Sequence, residues 1–212
     1  PAVKMKKDGT KQILIYHTHT TEAFAGSSRT QDNSQNVVAV GEEIKKQLEA
    51  AGFGVVHDTT CHDYPSYNGS YDRSGETIQR NLEKYPDIQV TLDVHRDAMG
   101  TQDGMRIKPT ALINGKKAAQ VMIISGCDDD GTLGFPNWEY NLRLGVRIQK
   151  SLSDLYPGLA RPLSFCPKKY NEHMTKGSLL VEFGTEVNTL EEVKYSGQLF
   201  GKALAETLEQ LT

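Results

Sequence analysis

The order of three segments near the start of the chain constrains its fold more than any other feature. Lys11-Gln12-Ile13-Leu14-Ile15-Tyr16 is a short apolar run with β-branched residues, bounded by polar sequence on both sides, and reads as a buried strand. Residues 36–51 follow with Val37, Val40, Ile44 and Leu48 at helical spacing, and Gly52 just beyond supplies the stop. Residues 53–57 form a second short run. A strand, a helix and a strand in one sheet imply a parallel pair with a right-handed crossover. The chain is therefore expected to be α/β, a three-layer α/β/α arrangement on a mostly parallel mixed sheet.

The rest of the chain extends this pattern. Residues 72–84 carry Ile78 and Leu82 on one face and end at Tyr85-Pro86, which predicts a second helix; residues 88–94 predict a third strand. Two extended stretches, 105–113 and 118–125, flank Asn114-Gly115, the commonest two-residue hairpin signal. A long amphipathic helix is expected over 136–156, a strand over 178–183 and a closing helix over 190–211. Residues 160–177 show no regular pattern and could line a groove. Residues 1–10, polar and lysine-rich, read as a linker or chain edge, and 11–212 as a single domain.

Composition removes several function classes. With 212 residues, 37% hydrophobic and 24% charged, the chain can bury one sizeable core. No apolar run approaches the roughly eighteen residues that would cross a bilayer. The net charge is −3 and the basic residues are scattered, so nucleic acid binding has no electrostatic footprint. Cys61, Cys127 and Cys166 share no CxxC spacing and read as inert thiols.

In an open α/β sheet, ligands bind beyond the carboxyl ends of the strands. Three expected strand ends carry chemistry: His17-Thr18-His19-Thr20-Thr21-Glu22 after the first, Asp93-Val94-His95-Arg96-Asp97 after the third, and Val181-Glu182-Phe183-Gly184 at the last. A hydrolytic zinc site needs about three protein ligands and a position for water. His17, Glu22 and His95 meet that count, because His17 and His19, two apart, are expected to point similarly from a strand edge. Glu182 is then the separate carboxylate that takes the proton from water and passes it to the leaving amine. His57, His62 and His173 read as structural histidines.

Leu179-Leu180-Val181-Glu182-Phe183-Gly184, followed by Asn188, Glu191 and Glu192, resembles the final strand motif of zinc N-acetylmuramoyl-L-alanine amidases. More narrowly, Tyr16-His17-Thr18-His19-Thr20-Thr21-Glu22 and Leu92-Asp93-Val94-His95-Arg96-Asp97-Ala98, taken with that motif, resemble the stage II sporulation protein P family over nearly the whole chain. The resemblance implies a peptidoglycan hydrolase with one zinc ion per chain. It implies cleavage of the amide between N-acetylmuramic acid and L-alanine, with endopeptidase action on cross-links, during forespore engulfment in sporulation. It further implies stage II sporulation proteins D and M as partners. The location implied is extracytoplasmic, at the septal and engulfing membranes of mother cell and forespore, through an N-terminal anchor outside this sequence.

One departure from the wider amidase pattern leaves the ligands open. Those enzymes place a glutamate ligand about fifteen residues after the first histidine, where this chain has Asp32. Glu22 is favoured because it stays in the loop that carries the histidines, and His19 is either the ligand in place of His17 or a group that orients it. Arg96 could hold the stem-peptide carboxylate and Asp97 a histidine N–H. Tyr64, Tyr67, Tyr71, Trp138 and Tyr140 could stack on sugars. Two other readings compete: a zinc carboxypeptidase-like peptidase, since His19 and Glu22 stand at HxxE spacing, and a non-catalytic wall-binding module of the same fold.

Overall fold

Alternation along the first strand decides the layering in the computed structural model, which describes residues 2–212; Pro1, the first residue of the expected linker, lies outside the described residues. In β1 (Lys11–Tyr16), Ile13 and Ile15 enter the larger apolar cluster, while Leu14 and Tyr16 enter a smaller one with Ile78 and Ile88. Successive side chains leave a strand on opposite faces, so both faces of this sheet are covered.

The larger face is covered by α1 (Val37–Ala50), α3 (Trp138–Leu155) and α4 (Leu190–Glu209), and the other by α2 (Ser70–Lys84), whose Ile78 meets Leu14 and Tyr16. Val37, Val40, Ile44 and Leu48 of α1 are all fully buried, each contributing roughly 1.5–3 kcal/mol relative to exposure. Asn36 starts that helix by accepting the Val38 N–H at 2.9 Å. Thr189 and Glu192 start α4 with a reciprocal capping box.

The remaining elements are β2 (Gly54–His57), β3 (Val90–Asp97), β4 (Thr110–Ile113), β5 (Lys116–Ala119), β6 (Val121–Gly126), β7 (Ser164–Cys166) and β8 (Ser178–Thr185). The main sheet has the order β2-β1-β3-β8-β6-β7. β2, β1, β3 and β8 run parallel, and β6 joins β8 antiparallel with β7 parallel to β6. The expected class and mixed sheet are what the molecule has, and β1, β3 and β8, the strands carrying the sequence signals, are consecutive at its centre.

Three details differ from the sequence reading. The Asn114-Gly115 hairpin is there, with both residues at positive φ, but only Thr110–Ile113 of its first arm is strand. Its second arm divides at Gln120, whose N–H donates to Pro109 O while its carbonyl accepts from Gly184 N, handing the chain from the hairpin sheet to the main one. The irregular stretch 160–177 contains β7. Residues 2–10 also pack on the domain: Val3 and Met5 are buried in the core, Met5 N–H donates to Leu211 O, and Lys4 N–H donates to Gln89 Oε1. Their apolar side chains were masked in the sequence by the surrounding lysines. No helix among the described residues is long and apolar enough to cross a membrane.

Candidate metal centre

β3 and β8 place two of the candidate side chains by register alone. His95 pairs directly with Glu182, so the two stand side by side on the face away from Leu92, Val94, Val181 and Phe183. The third contributor is the loop after β1, which is braced from several sides. Val37 N–H donates to Glu22 O, and Thr21 gives its N–H and hydroxyl to the buried Asp63 carboxylate. Arg96 donates from Nε to Ala23 O at 2.6 Å and from Nη2 to Ser28 O at 2.7 Å.

These elements bring His19, Glu22 and His95 together, with candidate ligand atoms all within 4.8 Å of one another and all three side chains buried. His95 Nδ1 lies 3.1 Å from Glu22 Oε1, and His95 Nε2 lies 2.8 Å from Asp93 Oδ1. Both approaches allow charge interaction but are bent away from hydrogen-bond alignment. Glu22 Oε1, His95 Nε2, His19 Nδ1 and Glu182 Oε2 are consequently buried polar atoms without a hydrogen-bond partner. Such atoms cost free energy unless something satisfies them, and the two imidazoles and one carboxylate of His19, Glu22 and His95 are a donor set that suits a divalent cation.

The electrostatics fit a cation. Burial alone would push His95 down, yet the Asp93 charge beside it, with Glu22, holds it well above the ordinary histidine range. Burial also opposes the Asp93 carboxylate, but His95 and the Thr18 donors keep it below its usual value. Glu182 is raised to about 8, first by burial and then by the neighbouring Asp97 charge, with His95 pulling the other way. A positive ion would satisfy the ligand lone pairs and stabilise these carboxylates.

His17, expected as a ligand, is placed elsewhere. Fully buried, it donates from Nδ1 to Val94 O at 2.9 Å, and its Nε2 meets His57 Nε2 at 2.8 Å. Both ring nitrogens are thus spent inside the fold, and burial, followed by the His57 charge, lowers it to about 3. The reason lies in the backbone: β1 ends at Tyr16 and residues 18–21 form a turn, so the two-residue alternation assumed for His17 and His19 stops short of them. Gly41 of α1 makes room for the imidazole pair, since a Cβ there would stand 2.7 Å from His57 Nε2.

The other expected residues separate cleanly. Asp32 is exposed and accepts from Ser34 N and Oγ in a local turn. Arg96 braces the Glu22 loop, and Asp97 pairs with Arg161 at 2.8 Å and accepts its neighbour's Ala98 N–H. His62 is structural, bonded to His17 O and Thr77 Oγ1. Tyr67 stacks on His19 at 4.6 Å, and Tyr71 packs edge-on to His19 and parallel to His95. Trp138 instead meets Phe165. Asp93 was missed in the sequence, although its place two residues before His95 on one strand was the signal for a carboxylate beside that ring.

Comparison with known proteins accords with this architecture. The N-acetylmuramoyl-L-alanine amidase AmiC2 of Nostoc punctiforme superposes with a TM-score of 0.58 at 11% identity, covering 96% of this chain and 97% of that one. The CwlD amidase of Clostridioides difficile, solved in complex with the GerS lipoprotein, gives 0.58 at 11% identity over 95% and 98%. Both show the fold. Stage II sporulation protein P of Bacillus subtilis (strain 168) is 29% identical over 204 residues, 87% of this chain and 48% of that protein, so the chain spans about half the length of this curated relative. Residues 2–205 match the family described as stage II sporulation protein P, and the chain belongs to that family.

Proposed function

We propose that this chain is a zinc-dependent peptidoglycan hydrolase that cleaves the amide between N-acetylmuramic acid and L-alanine of the stem peptide, in forespore engulfment during sporulation. The observation that carries the reading is the meeting of His19, Glu22 and His95 beside Glu182, with an unsatisfied buried atom on each. His19, Glu22 and His95 would hold the ion. Zinc supplies Lewis acidity to the scissile carbonyl and lowers the pKa of the attacking water. Asp93 holds the His95 ring in place from the far side. Glu182 Oε2 takes the proton from water and delivers it to the leaving amine; burial and Asp97 raise its pKa while a bound cation would lower it, and that opposition suits a group that must both accept and donate. Stage II sporulation proteins D and M are the partners proposed with this reading, and the location is extracytoplasmic.

A second reading keeps the same site and changes the bond. His19 and Glu22 at HxxE spacing, with His95 as third member, form the ligand pattern of zinc carboxypeptidase-like enzymes, which favours cleavage of peptide cross-links as well. Mass spectrometry of muropeptides after digestion of sacculi, with and without chelator, separates the two: free glycan and intact stems mark the amidase. His95→Ala should lose both zinc and hydrolysis. Glu182→Gln should keep zinc and lose about a hundredfold to ten thousandfold in rate, the usual worth of a positioned acid or base. Stoichiometric zinc in His95→Ala, or near wild-type digestion by Glu182→Gln, would refute the assignment.

A further inference from the structure

A groove of about 450 Å³ adjoins the metal centre, lined by Thr21, Arg29, Thr30, Gln31, Asp63 and Tyr67 among others. It is continuous with the centre through two stacking steps: Tyr67 lies on the His19 ring at 4.6 Å, and the Arg29 guanidinium lies 4.9 Å from the Tyr67 ring centroid. Arg29 is held from behind. Its Nη1 donates to Asp63 Oδ2 at 2.9 Å and to Thr21 Oγ1 at 3.2 Å, while the Asp63 side chain is wholly buried and also takes the Thr21 N–H. The Arg29 side chain stays 44% exposed, and among the described residues Nε and Nη2 donate to nothing. That edge is the one that matches a carboxylate with two parallel hydrogen bonds.

We propose that Arg29 is a substrate-docking residue that binds a free carboxylate of the peptide stem; this rests on the hydrolase reading above. Glu22, Asp93, Asp97 and Glu182 gather around His95 at the centre, where Arg161 is already paired with Asp97 at 2.8 Å. Arg96, the arginine nearest the ligands in sequence, has its Nε and Nη2 donors on Ala23 O and Ser28 O. An anionic peptide entering this site therefore needs a cation with donors to spare, placed to one side of the reacting bond. An extended peptide advances about 3.3–3.6 Å per residue. A carboxylate one or two residues beyond the scissile amide would thus reach Arg29 across the two stacking steps. The groove selects stems by charge at that position, and the Tyr67 ring links the selecting residue to a metal ligand.

Binding, independent of turnover, provides the test. Zinc-loaded Glu182→Gln protein is titrated calorimetrically with two muramoyl tripeptides that differ only in whether the α-carboxyl of the second stem residue is free or amidated. The free form should bind about tenfold more tightly, the worth of a charge-assisted hydrogen bond. Adding Arg29→Ala should abolish that preference while leaving affinity for the amidated form unchanged, and Arg29→Lys should recover only part of it, having the charge without the fork. Zinc content and circular dichroism are checked on each variant. Equal weakening of both peptides would show that Arg29 only braces the loop, and a preference surviving in Arg29→Ala would place the carboxylate elsewhere. Absence of preference or of binding in the parent would also overturn the proposal. Digestion of sacculi by the protein with Glu182 intact separately decides the hydrolase reading.

Discussion

Replacing Gly41 by alanine tests the assignment of His17 to the scaffold. Gly41 sits inside α1, where alanine is normally favoured by about 1 kcal/mol. Here the added Cβ would stand 2.7 Å from His57 Nε2 and 2.9 Å from His17 Cε1 and Nε2, shorter than carbon contacts tolerate. The rings cannot swing away freely, because His17 is also bonded to Val94 O and His57 Nδ1 lies 3.0 Å from Glu42. Overpacking of this kind costs about 1–3 kcal/mol, and parting the His17–His57 bond leaves buried nitrogens unpaired for about 1–3 kcal/mol more. After subtracting the helix gain, the net loss is about 1–5 kcal/mol, or a fall in Tm of about 3–15 °C for a domain of this size. Gly145→Ala in α3 is the control. Its nearest neighbours would be the methyl groups of Leu163, Leu179 and Ile123 at 3.3–3.6 Å, which can yield, so its Tm should stay within about 4 °C of the parent. Thermal melts followed by circular dichroism compare the two. If Gly41→Ala melts at or above Gly145→Ala, the imidazole pair is not the packed structural unit argued above.

Two further outcomes are expected at the centre itself. In Asp93→Asn the amide oxygen can still accept the Thr18 N–H and the Thr18 hydroxyl can turn to Ser74 Oγ, so the fold should persist. Zinc affinity should weaken about 10- to 100-fold in competition with a chromophoric chelator, and unchanged affinity would remove the orienting role of Asp93. Asp97→Asn takes away a charge that raises Glu182, so the carboxylate should form at lower pH. Because the base acts deprotonated, the acidic limb of the pH–rate profile should move to lower pH; a limb that stays put would show that another group controls it.

The layers were legible in the sequence because the central strands and their helices follow simple periods. Ile13 and Ile15 against Leu14 and Tyr16 read as a strand buried on both faces, and Val37, Val40, Ile44 and Leu48 as one side of a helix. Periodicity says nothing about where regular structure ends. The alternation argument for His17 failed at Tyr16 for that reason, whereas the three-residue step from His19 to Glu22 suits a turn and carries both into the cluster. β7 escaped notice because three residues hold too little pattern to register, and the burial of Val3 and Met5 depends on contacts with the far end of the chain, which no local window contains. The bracing by Arg96 could not be read from the sequence, because its donors go to backbone carbonyls, which carry no residue identity.

The alternation along β3 and β8 also shapes how such a protein can change. Asp93, His95 and Glu182 face the cluster while Leu92, Val94 and Val181 face the helices, so the two sets occupy interleaved and independent letters of the same words. Substitution at one set leaves the other untouched, which lets chemistry drift without eroding the packing beneath it. A single-residue insertion or deletion within either strand has the opposite effect: it exchanges the faces, sending charged groups into the interior and aliphatic ones into the cluster. Variation inherited in these strands should therefore be rich in replacements and nearly devoid of length changes.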